Sequence, residues 1–484
     1  MTLGELAQAA GCTLYGEPSR EVRGITHVAQ NVQPGFVFAA LPGCHHHGLE
    51  FSQEAVARGA VAICSDQQPK VPVAWLATPN PRRTTALAAW ALAGQPHKKL
   101  TMVGITGTNG KSTVADLVSR IFQVAHRKIG VFGTLAYRLP HRQLPAERTT
   151  PEATELAPLL AELVAAGGDT AVMEVSSHAL ALDRLAGLEL DVACWTNFTQ
   201  DHLDFHQTME AYFAAKQRIF ALLRTTPRGR RVVNIDDPWL VPLTENLQAG
   251  DLTFGFNPKA QVRVEELSLS LTGSRFVLMT PQGKIPVALP LLGRHNVANA
   301  LAAAACALVV GIDLEAIPSG LSGAEPLPGR LERIPLAAPF TAFVDYAHTP
   351  DALRQVLSTI RTLTPGKLIV VFGCGGDRDP GKRPLMGQVV AELADVPIVT
   401  SDNPRSEDPG AIIAQILEGM TANPRTLVLP NRRDAIAAAL KLAEPGSVVV
   451  IAGKGHEQIQ VFAHASVPFS DKVVAMELWQ GGQR

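Results

Sequence analysis

Residues 100–113, LTMVGITGTNGKST, decide the fold. The first seven are apolar or β-branched apart from one glycine and read as a strand. Beyond the loop, apolar residues recur at Val114, Leu117, Val118, Ile121 and Val124, the spacing of an amphipathic helix. Between strand and helix lies a glycine loop ending in Lys111-Ser112-Thr113. Gly107 and Gly110 let the backbone bend its N–H groups around a phosphate, and the helix N-terminus adds favourable partial charge. Lys111 would reach the outer phosphates, and the Ser112 hydroxyl would ligate magnesium. Ile105 stands where the usual spacing has its first glycine. An ordinary turn explains the glycines but not the Lys-Ser-Thr that follows them.

Working outward, short apolar runs alternate with helical patterns almost throughout, which argues for α/β layers rather than a bundle or sandwich. The 484 residues suggest about three domains. Proline-containing seams at Gln95-Pro96-His97-Lys98 and at GAEPLPGR (323–330) divide the chain. They predict domains at 1–96, 97–329 and 330–484. The first holds the strand candidates FVFAALPG and GAVAICS. The last holds KLIVVFG, VPIVTSD and SVVVIAGKG, each an apolar run entering a polar or glycine loop. In open parallel sheets, ligands gather at such carboxyl-end loops.

A formal net charge of −1 leaves no global field to draw the chain to nucleic acid or anionic lipid. Cysteines at 12, 44, 64, 194, 306 and 374 include no close pair, which fits a reducing compartment. The start MTLGELAQAAG lacks the basic-then-apolar order of a signal peptide, and the alanine-rich run 301–312 is too short to span a bilayer. A soluble cytoplasmic monomer is expected, partnered with neither nucleic acid nor membrane.

Several polar residues sit where chemistry would want them. Glu174 ends an apolar strand candidate, where a carboxylate could face nucleotide-bound magnesium; a surface acid or helix cap is the plainer reading. TNFTQDHLDFH offers Asp201, His202, Asp204 and His206, which cooperate only from a loop or helix start; a solvated, acid-rich helix start is equally plain. Lys216 lies in the helical pattern AYFAAKQRIF, where a surface lysine is the simpler expectation. Its sharper reading is an amine depressed enough in pKa to react with carbon dioxide. The histidines at 45–47 have no companion ligands and read as a polar loop.

Beyond these, the stretches GTNGKST, TTPEA (149–153), EVSSHAL, TNFTQDHLDFH, NIDDP (234–238), LLGRHNVANALAA (291–303), PGRLERI (328–334), DYAHTPDAL (345–353), VFGCGGDRDPGKRPLMG (371–387), DNPR (402–405) and GKGHE (453–457) follow one another in order. In this the chain resembles the Mur ligases of peptidoglycan synthesis, strongly from about residue 97 onward. The nearest class is the one that adds the third amino acid. The resemblance implies a small N-terminal α/β domain that binds UDP, a central P-loop ATPase domain with a mostly parallel sheet, and a Rossmann-like C-terminal domain. It also implies ATP and Mg2+ as cofactors and UDP-N-acetylmuramoyl-L-alanyl-D-glutamate as partner.

Carried over by position, Gly107, Thr108, Asn109, Gly110, Lys111, Ser112 and Thr113 would hold the ATP phosphates and Asn296 the adenine. Arg330 and Asp345 would complete that site on domain closure. Magnesium would fall to Ser112, Glu174, His202 and a Lys216 carbamylated by CO2, with Lys111 joining the last three as the catalytic group. Thr149, Thr150, Ser176 and Arg184 would grip the nucleotide-peptide, and Arg378, Asp402, Asn403, Pro404, Arg405, Gly453 and Glu457 the incoming amino acid. Two positions depart from the family pattern. Leu182 replaces a common glutamine, and Val28-Ala29-Gln30 replaces a uridine-binding Asp-Ser-Arg, so no uridine contact is assigned.

The implied reaction is amide formation through an acyl phosphate, with His348 or Glu457 as candidates to manage the proton of the attacking amine. Arg405 presents a planar fork suited to a second carboxylate, and Asp402 and Glu457 suit a distal ammonium. That favours meso-diaminopimelate, with L-lysine or L-ornithine as the alternative. A folylpolyglutamate synthase-like ligase would share the central domain and the chemistry but lack DNPR and GGDRDPGKRPLMG. A silent nucleotide-binding protein would keep the phosphate loop and lose Glu174, Lys216 or the Arg378 and Arg405 pair; all are present.

Overall fold

Three sheets rich in parallel strands follow one another along the chain in a computed structural model that describes residues 1–43, 46–225, 228–420 and 424–481. The α/β architecture expected from the alternating pattern is the one observed. In the first sheet, Thr13–Tyr15 runs antiparallel to Ala74–Ala77, and Ala62–Ser65, Phe36–Ala39 and Gly24–Thr26 continue in parallel. The helices Leu3–Ala10 and Pro81–Leu92 belong to this unit; Thr2 and Asn80 cap their N-termini through side-chain oxygens. The Trp90 indole N–H donates to Ala186 O at 2.9 Å, which pins the second helix to the central unit.

The central sheet has eleven strands. The parallel core runs Val262–Ser270, Leu252–Gly255, Arg230–Asn234, Val192–Trp195, Thr101–Thr106, Thr170–Glu174 and Ile129–Phe132. Antiparallel strands finish both edges, 136–145 on one side and 273–289 on the other. Strand Thr101–Thr106 lies between Val192–Trp195 and Thr170–Glu174, where the connections diverge to the two halves of the sheet. This switch point opens a crevice at the carboxyl ends of the strands. The alanine-rich run is the helix Arg294–Val309, buried from Asn299 through Leu308 against the helix Lys111–Val124. No helix among the described residues is long and apolar enough to cross a membrane.

In the third sheet the order is Glu332–Ile334, Thr341–Asp345, Val448–Ala452, Leu368–Phe372, Val396–Val399 and Leu427–Val428, with only the first strand antiparallel. The last strand in sequence, Val448–Ala452, inserts between two earlier ones, so the loops after 345, 372, 399 and 452 leave the same edge side by side. Of the histidine run, His45 lies outside the described residues. His46 Nδ1 meets Glu50 at 3.1 Å and His47 Nε2 meets Asp66 at 3.1 Å, as a polar loop requires.

His97, in the first seam, is 1% exposed, packs edge-on against Trp90 at 5.1 Å and has no hydrogen-bond partner for either ring nitrogen among the described residues. Burial, aided by the charges of Lys98 and Arg224, lowers its pKa from 6.5 to about 4. The unfolded chain therefore binds this proton first, and stability falls as pH drops from 6.5 toward 4, by about 3 kcal/mol in full. His97→Phe is expected to flatten the decline of melting temperature between neutral pH and about pH 5. Parallel curves for the two proteins would refute this.

Candidate active site

The loop after Thr101–Thr106 is shaped by what lies beneath it. Gly107 adopts φ +146°, and a Cβ there would overlap the Thr196 hydroxyl, so glycine is required. Lys111, first residue of its helix, folds back to donate from Nζ to Gly107 O at 2.9 Å and Thr108 O at 2.8 Å. Lys216 Nζ donates to the same Gly107 O at 2.8 Å. Lys216 is 1% exposed, 4.7 Å over the Tyr212 ring, so the surface-lysine reading fails. Burial, with Lys111 nearby, holds its amine well below the usual lysine range.

Glu174 is 2% exposed at the end of its strand, which sets aside the surface-acid reading. Thr134 holds both carboxylate oxygens, by N–H at 2.8 Å and by hydroxyl at 3.2 Å. The Thr134 hydroxyl also meets Thr149 Oγ1 at 3.0 Å, and Thr150 Oγ1 donates to Glu174 O at 2.9 Å and meets Ser176 Oγ at 3.1 Å. Glu174, Thr149, Thr150 and Ser176 thus form one hydrogen-bonded group. Arg184 lies beside it, donating to Thr150 O at 3.3 Å and paired with Glu152 at 2.9 Å.

His202 starts the short helix Leu203–His206 in the left-handed region, φ 55°, and Asp201 Oδ1 accepts its backbone N–H at 2.9 Å. Burial keeps its imidazole neutral, down to about 3, despite the opposing charge of Asp201. Asp204 is solvent-exposed, whereas His206 is buried and meets Ser177 Oγ at 2.9 Å. The TNFTQDHLDFH stretch is therefore part site and part scaffold.

A cavity of about 560 Å³ opens beside the phosphate loop, between the helices Arg294–Val309 and Pro350–Leu363. Asn109, Asn296, Asn299, Arg330, Asp345 and Tyr346 are among its lining residues. Asn296 Nδ2 donates to Leu292 O at 2.8 Å, and its Oδ1 accepts from Asn299 at 3.2 Å. Arg330 lies over the Tyr346 ring at 4.8 Å, while Asp345 accepts from Leu331 N at 2.6 Å and Ala347 N at 2.7 Å. Two hydrogen bonds seat the third unit on the central one: Asn109 Nδ2 to Asp351 at 3.2 Å, and Gln200 Nε2 to Asp379 at 3.0 Å. His348 is held by Tyr346 O at 2.7 Å, and burial lowers its pKa to about 4, leaving a weak base.

On the edge of the third sheet, Arg405 has φ 52° and donates to Gly376 O at 2.7 Å, so the loops after 372 and 399 touch. Arg378 is exposed on the first of these loops, and Pro404 is buried on the second. Asp402 is 8% exposed, with Oδ1 accepting Asn403 N at 2.7 Å and Oδ2 accepting no hydrogen bond among the described residues but paired with Arg432 at 4.0 Å. Gly453, φ +114°, leaves room for that Oδ2, which a Cβ would meet at 2.5 Å. Asn403 Nδ2 donates to Glu457 Oε2 at 2.6 Å.

Sequence reasoning missed the residues that hold these groups. Arg383, 1% exposed, pairs with both oxygens of Glu407 at 2.8 and 2.9 Å and reaches Gly375 O at 3.3 Å. Arg432 makes two 2.7 Å bonds to the fully buried Asp471 and also donates to Ser401 O and Ala452 O. An arginine within a helical pattern reads as surface, and only tertiary packing reveals these staples. Thr134 carried no signal beyond its neighbouring glycine.

A phosphate loop and a buried lysine and carboxylate, faced by a third unit hydrogen-bonded to the loop, define a phosphate-loop, ATP-dependent ligase architecture. Residues 105–307 match the Mur ligase middle domain and residues 329–455 the Mur ligase, glutamate ligase domain. The chain belongs to the Mur ligase family. Over its whole length it is similar to the UDP-N-acetylmuramoyl-L-alanyl-D-glutamate--2,6-diaminopimelate ligase of Gloeobacter violaceus, 44% identical, with 99% of this chain and 98% of that one covered. The enzyme of the same name from Solibacter usitatus is 42% identical, with 99% of each covered. A solved structure bearing that name superposes with a TM-score of 0.69 at 33% identity, covering 100% of this chain and 99% of that one.

Proposed function

We propose that this protein is the ATP-dependent ligase that joins meso-2,6-diaminopimelate to UDP-N-acetylmuramoyl-L-alanyl-D-glutamate in peptidoglycan synthesis. The observation that carries the reading is the convergence of Arg405, Arg378 and Glu457 on neighbouring loops of a third unit hydrogen-bonded to the phosphate loop. Residues 1–96, 97–329 and 330–484 serve as the units for the UDP moiety, for ATP and for the amino acid. The chain acts as a monomer, away from nucleic acid and membrane.

A carboxylate is a poor acylating agent because its leaving oxide is too basic. Phosphorylation of the D-glutamyl carboxylate by ATP gives an acyl phosphate, which the amine of the incoming amino acid attacks with release of phosphate. The residues 107–113 cradle the phosphates, and Lys111 leaves its carbonyl partners to neutralise the transferring group. Asn296, Arg330 and Asp345 frame the cavity that takes the nucleoside. Thr149, Thr150, Ser176 and Arg184 hold the dipeptide near Glu174.

The donors assigned to a divalent ion beside phosphate are the Ser112 hydroxyl and the Glu174 carboxylate, oxygen ligands suited to a hard ion, joined by the imidazole of His202. Magnesium bound there would neutralise phosphate charge and orient the oxygens. Lys216, buried and depressed, meets the requirement for a carbamate formed with CO2, which would add an anionic oxygen donor. Closing the third unit excludes water that would otherwise hydrolyse the acyl phosphate.

The experiment is a competition among meso-diaminopimelate, L-lysine and L-ornithine with purified enzyme, UDP-muramoyl dipeptide and ATP, followed by phosphate release and product mass. Diaminopimelate is expected to be preferred by on the order of 10³-fold or more, because lysine leaves the arginine fork unpaired. ATP turnover indifferent to both acceptor and amino acid would overturn the ligase reading.

A further inference from the structure

Lys454 is 0% exposed in the loop after Val448–Ala452, yet carries no role in the reaction above. Its ammonium donates to Asn403 Oδ1 at 3.0 Å, Glu457 Oε2 at 2.9 Å and Ile459 O at 2.6 Å, which uses all three of its protons. Asn403 Oδ1 also accepts Val461 N–H at 3.0 Å, while its Nδ2 donates to Glu457 Oε2 at 2.6 Å. The amide is thus held in one orientation, because a flipped amide would turn its NH2 toward the Lys454 ammonium and the Val461 N–H. Two donors occupy Glu457 Oε2, and Oε1 accepts no hydrogen bond among the described residues, on a side chain 28% exposed.

We propose that Lys454 is the positioning residue of the amino-acid pocket. Its buried ammonium ties down the Asn403 amide and one oxygen of Glu457, so that the other oxygen is a fixed acceptor for the ammonium of the incoming amino acid. This rests on the reading of these loops as the amino-acid pocket. The logic is that of a second layer of contacts fixing the first. A flexible carboxylate would lose rotamer freedom on binding, whereas one already anchored spends little of the substrate's binding energy on ordering. The device also filters charge. A cation beneath Glu457 offsets part of its field, so a substrate group must reach Oε1 directly to be held.

The test is steady-state kinetics of Lys454→Met, which keeps the stem and removes the charge. The KM for the amino acid is expected to rise about 10- to 100-fold, with the KM for ATP and kcat at saturation little changed. The double variant Lys454→Met with Glu457→Gln leaves no lone buried charge. It is expected to lose little beyond either single change, since the two side chains act as a unit. An unchanged amino-acid KM, parallel losses in ATP KM and kcat, or strictly additive losses in the double variant would each overturn the positioning role. Should Lys454→Met fail to fold, the double variant compared with Glu457→Gln alone decides it: equal amino-acid KM supports the unit, and a further rise overturns it. If the unmodified enzyme turns over no amino acid at all, the ligase reading fails instead, so the two failures are distinguishable.

Discussion

Lys216→Ala is expected to lower kcat by about 10²–10³-fold, the loss typical of removing a group that stabilises charge in the transition state. The lysine sits beneath the phosphate loop, 1% exposed and bonded at 2.8 Å to the Gly107 O that Lys111 also reaches. If the working form is a carbamate, a small carboxylate such as formate or acetate should enter the alanine cavity and restore part of the rate. Full activity in the variant would refute any role for the side chain. Loss with no response to small carboxylates would leave a role for the amine itself and refute the carbamate.

Arg405→Ala is the second large effect, expected at on the order of 10³-fold in kcat/KM for diaminopimelate, with ATP binding nearly intact. Arg405 stands on the turn after Val396–Val399, on the third unit, whereas the phosphate loop belongs to the central sheet. The variant should therefore separate amino-acid capture from nucleotide capture, measured as amino-acid KM against nucleotide affinity by calorimetry. Its Gly376 O contact is a single hydrogen bond on a half-buried side chain, so stability should change little. Unchanged diaminopimelate kinetics would remove the basis for assigning the amino acid.

What the chain revealed before folding followed how local each signal is. The strand, glycine loop and helix of 100–124 are legible because periodicity and glycine placement act over a few residues. The arginine in DNPR is legible because a turn needs no arginine, so its presence asks for a reason. Lys216 and Glu174 read as surface groups because burial is decided by elements far away in sequence: Gly107 O for one, Thr134 for the other. Arg383, Arg432 and Lys454 were not legible at all. Each is a buried cation whose partners come from loops or helices tens of residues away or from a local turn, and pattern alone assigns such residues to solvent. The antiparallel edges of the central sheet were likewise unannounced, since strand direction depends on where the next strand pairs.

The alanine-rich helix Arg294–Val309 has a consequence for how the cavity beside it can behave. Residues 300 and 302–305 are all alanine and fully buried, so much of the helix meets its neighbours through methyl groups, with Val297, Leu301 and Cys306 the larger side chains buried beside them. Behind it, Gly320 lies so close to the helix Lys111–Val124 that a Cβ would meet the Ile121 Cα at 2.5 Å. With so many of its contacts made by methyl groups at close range, this wall has little slack for re-packing. It is the fixed jaw of a vice. Asn296 and Asn299 are bolted to it, and any clamping on a nucleoside has to come from the opposite jaw, the helix Pro350–Leu363 of the third unit.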